Sequence, residues 1–110
     1  DDSCLLLYPL LDWQNLERKV AKLPSLNIHT KRLARKLIGH ANECDLDKIG
    51  RILIPISHRK HANLNKKVIL SGQGHNFEIW DENAWEEQIE KLERISSQVE
   101  APQEIQKLSL

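Results

Sequence analysis

The 110-residue chain has no methionine, two cysteines, four glycines, four prolines and only 5% aromatic residues. Each shortage excludes something. Two cysteines, Cys4 and Cys44, cannot build the disulfide framework of a small secreted domain, so two buried, reduced thiols in a cytoplasmic protein are expected. No apolar run approaches the ~20 residues of a membrane span, and the opening Asp1-Asp2-Ser3 lacks the basic flank of a signal peptide. Neither Cys-x-x-Cys nor His-Glu-x-x-His occurs. His58-x-x-His61, even with His40 and Cys44 near in sequence, is therefore a poor zinc set, and no metal or cofactor is expected. Ser71-Gly72-Gln73-Gly74 lacks the Lys-Ser/Thr of a nucleotide loop and leads into a strand. No nucleophile, base and orienter stand together, so catalysis is not expected.

What is present is an uneven charge distribution. The net charge is zero, but ten Lys/Arg face three acids between His29 and Lys67, giving +7. From Glu78 to Glu104 nine acids face two bases, giving −7. The fold therefore carries one basic and one acidic region. Inside the basic segment, Asp47-Lys48-Ile49-Gly50-Arg51 reads as a hairpin turn. Asp47 can accept from backbone N–H groups two residues on, and Gly50 can take positive φ, the chemistry of a type I turn with a bulge at glycine. Strands His40–Leu46 and Arg51–Ile54 flank it. A guanidinium at the base of such a ribbon can bind phosphate or read guanine O6 and N7 in the major groove. The same spacing also fits a surface ion pair that only closes the hairpin. Lys48 at the tip would add a phosphate contact. Arg59 and Lys60 offer either another such contact or a solvated helix face.

Taken in order, Cys4 to Tyr8 is a short buried strand. Pro9 opens a helix with Trp13, Leu16, Val20 and Leu23 on one face, ending near Pro24. After Ser25 to Ile28, a second helix runs from His29 to Ile38 and stops at Gly39. Ser57 can cap a short helix over His58–Ala62. Strands follow over Lys67–Ser71 and Phe77–Trp80, and Asp81 caps a last helix carrying Trp85, Ile89, Leu92, Ile95 and Val99 at helical spacing. Beyond Pro102 the tail is polar, with Ile105, Leu108 and Leu110 as its apolar residues.

A repeat runs through this order. Cys4 to Trp13 matches Asn76 to Trp85 at an offset of 72: an apolar strand ends in an aromatic, and Trp follows five residues later. Val20 matches Leu92 at the same offset. The second copy begins near His40, so at least ~30 residues are expected upstream of Asp1, including a first copy of the hairpin. The absence of any methionine fits a fragment of a two-repeat protein of roughly 150 residues.

Asp47 with Lys48-Ile49-Gly50-Arg51-Ile52-Leu53-Ile54-Pro55 resembles the Asp-x-x-x-Arg signature of MraZ proteins. So do Cys4 to Pro9, Leu37 to Ala41, Arg59 with Ala62 and Leu64, and Gly72-Gln73-Gly74 through Phe77 to Asp81. The resemblance runs from Asp1 to Leu92. It implies an α+β fold of the AbrB-like swapped-hairpin β-barrel type with flanking helices, in two repeats. Residues 1–39 would be the remainder of the first repeat plus a linking helix, 40–99 the second repeat and 100–110 a tail. It further implies a cytoplasmic, nucleoid-associated transcriptional regulator of the bacterial division and cell-wall genes. Such a protein is not an enzyme, and it binds double-stranded promoter repeats as a ring-shaped homo-oligomer, with neither membrane nor small-molecule substrate. Asp47, Lys48, Arg51 and Arg59 are the DNA-binding residues so implied. The chain departs from the family pattern in lacking the first signature, in His58 where an apolar residue is usual, and in Asn63 where glycine is frequent. Two alternatives stand beside this reading: an AbrB-like antitoxin, and a self-assembly module whose basic turn pairs with the acidic helices of neighbours.

Overall fold

Three leucines, Leu5–Leu7, make the shortest strand and sit at one edge of the sheet. The computed structural model describes residues 3–24, 26–98 and 102–108. In chain order the elements are β1 (Leu5–Leu7), α1 (Leu10–Ala21), α2 (Ile28–Leu37), α3 (Ile56–His61), β2 (Val68–Gly72), β3 (Phe77–Asp81), α4 (Glu82–Gln98) and α5 (Gln103–Gln106). The fold is α+β. Its sheet is antiparallel in the order β1-β3-β2, with β3 central. β2 and β3 form a hairpin in which Gln73 N–H donates to the Asn76 carbonyl at 2.8 Å. α4 packs on β2 and β3, and α1 packs on α2.

The register of β1 against β3 gives the sequence repeat a geometric meaning. Leu6 pairs with Glu78, its equivalent at offset 72, and Leu5 and Leu7 pair with Ile79 and Phe77. An antiparallel pair centred on two equivalent residues is the arrangement a local two-fold axis produces. The aromatics repeat it. Tyr8 and Trp13 meet edge-on at 5.6 Å and 61°, while Trp80 and Trp85 do so at 6.0 Å and 62°. In each copy an aromatic within one residue of the strand's end thus meets a Trp in the first turns of the helix that follows, in the favoured geometry for two ring quadrupoles.

The core is small. Leu5, Ala62 and Ile79 form its buried centre, with Leu7, Ile54 and Leu64 packed around them. Ala62, at 1% exposure, lets the end of α3 approach the sheet closely. Val20 and Trp80 are the other buried apolar residues among those described. Trp80 keeps its ring under α4 while its indole Nε1–H donates to Glu78 Oε1 at 3.1 Å. The start of α4 is fixed by one carboxylate: Asp81 Oδ2 accepts from Asn83 N–H at 3.2 Å, and Oδ1 accepts from Asn65 N–H at 3.1 Å. Asp81 therefore ties the helix start to the segment entering β2.

Several sequence expectations need correction. His40–Leu46 and Arg51–Ile54 are not strands: His40 lies in a turn, and the rest are arms without a ladder. Among the described residues, the backbone bond joining them is Asp47 N–H to the Arg51 carbonyl, 2.8 Å. An arm builds a ladder only where a neighbour offers its backbone groups, and among the described residues neither arm has one beyond the mouth of the turn. Ser57 does not cap α3, because the helix starts at Ile56, two residues earlier than expected and directly after Pro55. Pro55 takes the N-cap position and removes one of the unpaired N–H groups of the helix entry, and no side chain caps the others. Cys4 and Cys44 form no disulfide, as expected, but they are half-buried rather than buried, and neither lies in a strand. Ser25, Val99 and Leu110 lie outside the described residues. Asn63 resolves one departure: it takes φ +51°, the left-handed conformation that glycine supplies at no cost and asparagine tolerates.

Replacing Trp80 with alanine removes both its burial and the ring contact with Trp85. Urea unfolding followed by circular dichroism is expected to show a loss of about 3–5 kcal/mol.

Candidate functional site

Asp47 has two carboxylate oxygens, and the turn uses them differently. Oδ1 accepts from two backbone groups, Ile49 N–H at 2.9 Å and Arg51 N–H at 2.8 Å. Oδ2 accepts from the side chain, Arg51 Nε–H at 2.9 Å. The backbone closes the same loop: Gly50 N–H donates to the Asp47 carbonyl at 3.0 Å, and Gly50 takes φ +86°. This is the type I turn with a glycine bulge expected from the residues, since a Cβ at position 50 would be strained at that φ. Asp47 thus orders the turn with one oxygen and holds the guanidinium with the other.

The Arg51–Asp47 pair is exposed, the arginine side chain at 72% and the aspartate at 43%. Arg51 Nε is engaged, whereas its terminal Nη1 and Nη2 have no protein partner among the described residues. The guanidinium therefore keeps its end-on fork for a ligand, two parallel donors that match a phosphate or a guanine edge. Lys48 and Ile49, the two central turn residues, are both exposed. Asp47, Lys48 and Arg51 are brought together on one five-residue unit.

Arg59 stands apart. It lies on α3, and its carbonyl accepts from Leu64 N–H at 2.9 Å. Its exposed side chain lines a shallow, open groove with Ile56, Lys60, Asn63, Leu64 and Asn65. Among the described residues no hydrogen bond or ion pair joins it to the turn.

The sequence reading missed a brace between α3 and the first arm. His58 Nε2 lies 2.8 Å from the His40 carbonyl oxygen, which can only accept, so Nε2 carries the proton. Cys44 Sγ makes a second, weaker tie across the arms, to the Leu53 carbonyl at 3.7 Å. Residues 18 apart in sequence with no shared periodicity leave no local signal of such a bond. His58 is thus a structural donor, and among the described residues no group of three or more metal-ligating side chains occurs.

The fold and the turn together define an α+β protein with a repeated strand–helix unit that displays a carboxylate-held arginine. Residues 37–108, which include the turn and α3, match the family model described as "MraZ protein, putative antitoxin-like". The chain is 55% identical over 87 residues to the transcriptional regulator MraZ of Alkalilimnicola ehrlichii, covering 79% of this chain and 58% of that protein. It is 59% identical over 85 residues to the one from Methylococcus capsulatus, covering 77% and 56%. Against the one from Nitrosococcus oceani it is 46% identical over 109 residues, covering 99% and 72%. The chain belongs to the MraZ family. It spans rather more than half the length of the first two relatives.

Asp47 is held more acidic than an ordinary aspartate, first by the Arg51 N–H, then by the Arg51 side chain and the Ile49 and Gly50 N–H groups. Partial shielding of the carboxylate from water opposes them. A carboxylate whose folded value is lowered stabilises the turn above its unfolded pKa and loses that contribution as pH falls through the folded one. Carboxyl NMR titration is expected to give Asp47 a midpoint below the ordinary 3.8. The latch should stay closed across neutral pH and open only under acid conditions, and Arg51→Ala should move the midpoint back upward.

Proposed function

We propose that this chain is the DNA-binding part of a transcriptional regulator, and that the Asp47–Arg51 turn is its contact with duplex DNA. The observation that carries the reading is the division of labour at Asp47. A guanidinium held at Nε and open at both Nη atoms is pre-aimed, so little ordering is needed when it meets a guanine edge or a phosphate. Lys48 supplies a phosphate contact beside it, and Arg59 a second one from α3. The relatives named above are called transcriptional regulators, which supports the same reading.

One turn is too little for an operator, since a good bidentate contact discriminates by only about 1–3 kcal/mol. Operator strength then comes from several turns presented together, in a ring of identical chains that engages promoter repeats at the nucleoid. Two quantities support assembly. The chain exposes 9571 Å², whereas a compact chain of this mass exposes about 6,300 Å². Its radius of gyration is 16.7 Å against about 13 Å for a compact domain of this length. On the arms, Leu46 and Leu53 are 70% and 80% exposed. Arms that lack ladder partners and carry exposed leucines suit exchange with a second hairpin, the swapped-hairpin barrel, with residues 40–99 forming one repeat of it.

Arg51→Ala in the full-length protein is expected to lower affinity for a promoter duplex at least about tenfold in gel-shift titration, with an unchanged circular dichroism spectrum. Unchanged affinity would sink the assignment. Lys48→Ala should weaken binding to all duplexes alike. It should also lower the log–log salt slope by roughly one, the change expected when one phosphate is no longer neutralised.

A further inference from the structure

Ile49 is the residue at the tip that folding does not explain. It is 76% exposed at the third position of a type I turn, a place most residue types can take, so the turn itself does not require an apolar side chain there. Leu46 and Leu53 are equally bare but lie on the arms, where another hairpin can cover them. Nothing strand-like can cover Ile49 in that way, because the ribbon ends there. Its backbone is nevertheless fixed, since its N–H donates to the same Asp47 oxygen that holds the Arg51 N–H. A β-branched side chain adds stiffness at χ1, so little rotamer freedom remains to be lost on contact.

We propose that Ile49 is a specificity-determining residue that packs on the C5 methyl group of a thymine in the major groove. The inference rests on the reading that this turn enters DNA. That methyl is the apolar feature a base pair presents in the major groove, and the turn tip offers one apolar side chain beside two cations. The reach is bounded: residues two apart have Cα atoms at most about 7 Å from each other, against a rise of about 3.4 Å per base pair. With the reach of the two side chains added, the thymine lies a few base pairs at most from the guanine or phosphate that Arg51 engages. The turn then reads a short step, a polar edge through Arg51 and a methyl through Ile49, with Lys48 on the backbone.

The test uses duplexes selected from a random library by the full-length protein. Each is prepared with thymine and again with deoxyuridine, which keeps every hydrogen-bonding edge and removes only the methyl. The wild type is expected to bind the uracil form about fourfold more weakly for each engaged turn. Ile49→Ala should bind the thymine form with that same loss and should not distinguish the two duplexes. Equal wild-type affinity for both forms would overturn the proposal, as would an Ile49→Ala protein that keeps the full thymine preference. An Ile49→Ala protein of altered oligomeric mass with no change in methyl preference would assign the residue to a protein contact and overturn it too. Failure of the underlying reading looks different: Arg51→Ala would then bind the selected duplex as well as the wild type does.

Discussion

The junction of Leu5, Ala62 and Ile79 holds this molecule together. It joins β1 and β3, which are far apart in sequence, with the residue that follows α3 and the second arm of the hairpin through Ile54. Only a small residue at position 62 lets α3 come this close to the sheet, because any larger side chain at 1% exposure would push the helix outward. With α3 held, the His58 bond to the His40 carbonyl draws in the first arm as well. The turn thus projects from a body that grips both ends of its hairpin, although the arms between are nearly bare of cross-bonds.

The turn itself obeys local rules. Every bond that shapes it runs between residues 47 and 51, so its conformation depends little on the core behind it. Rigidity at the tip and slackness along the arms are complementary properties. The stiff tip holds its donors with little entropy left to lose, while the arms leave Leu46 and Leu53 exposed. The charge separation fits the same division, with the basic segment running through the turn and the acidic one through α4.

The near-symmetry of β1 and β3 explains why so small a core is enough to organise the sheet. Two copies of one strand–helix unit meet back to back at Leu6 and Glu78, each sealing its own strand–helix corner with an aromatic pair. Each corner needs only residues close in sequence, five apart. The long-range work falls to the strand pairing and to the junction at Ala62.

Much of this was legible in the residues. Proline at 9, aspartate at 81 and the helical spacing of Trp13, Leu16 and Val20 located the helices to within a residue or two, because such signals act over one helical turn. Asp47 and Gly50 determined the turn alone, since its bonds are local. The offset of 72 anticipated the matching aromatic corners. The tertiary structure decided the rest. It showed that the arms carry no ladder, because pairing depends on a partner strand and not on β-branched residues. It assigned Ala62 to the centre of the core, a role that no apolar pattern around an alanine announces. It also gave His58 a structural bond, and it left Ile49 bare at the tip. Local hydrogen bonds are written in neighbouring residues; burial and exposure belong to the whole chain, and only its folding settles them.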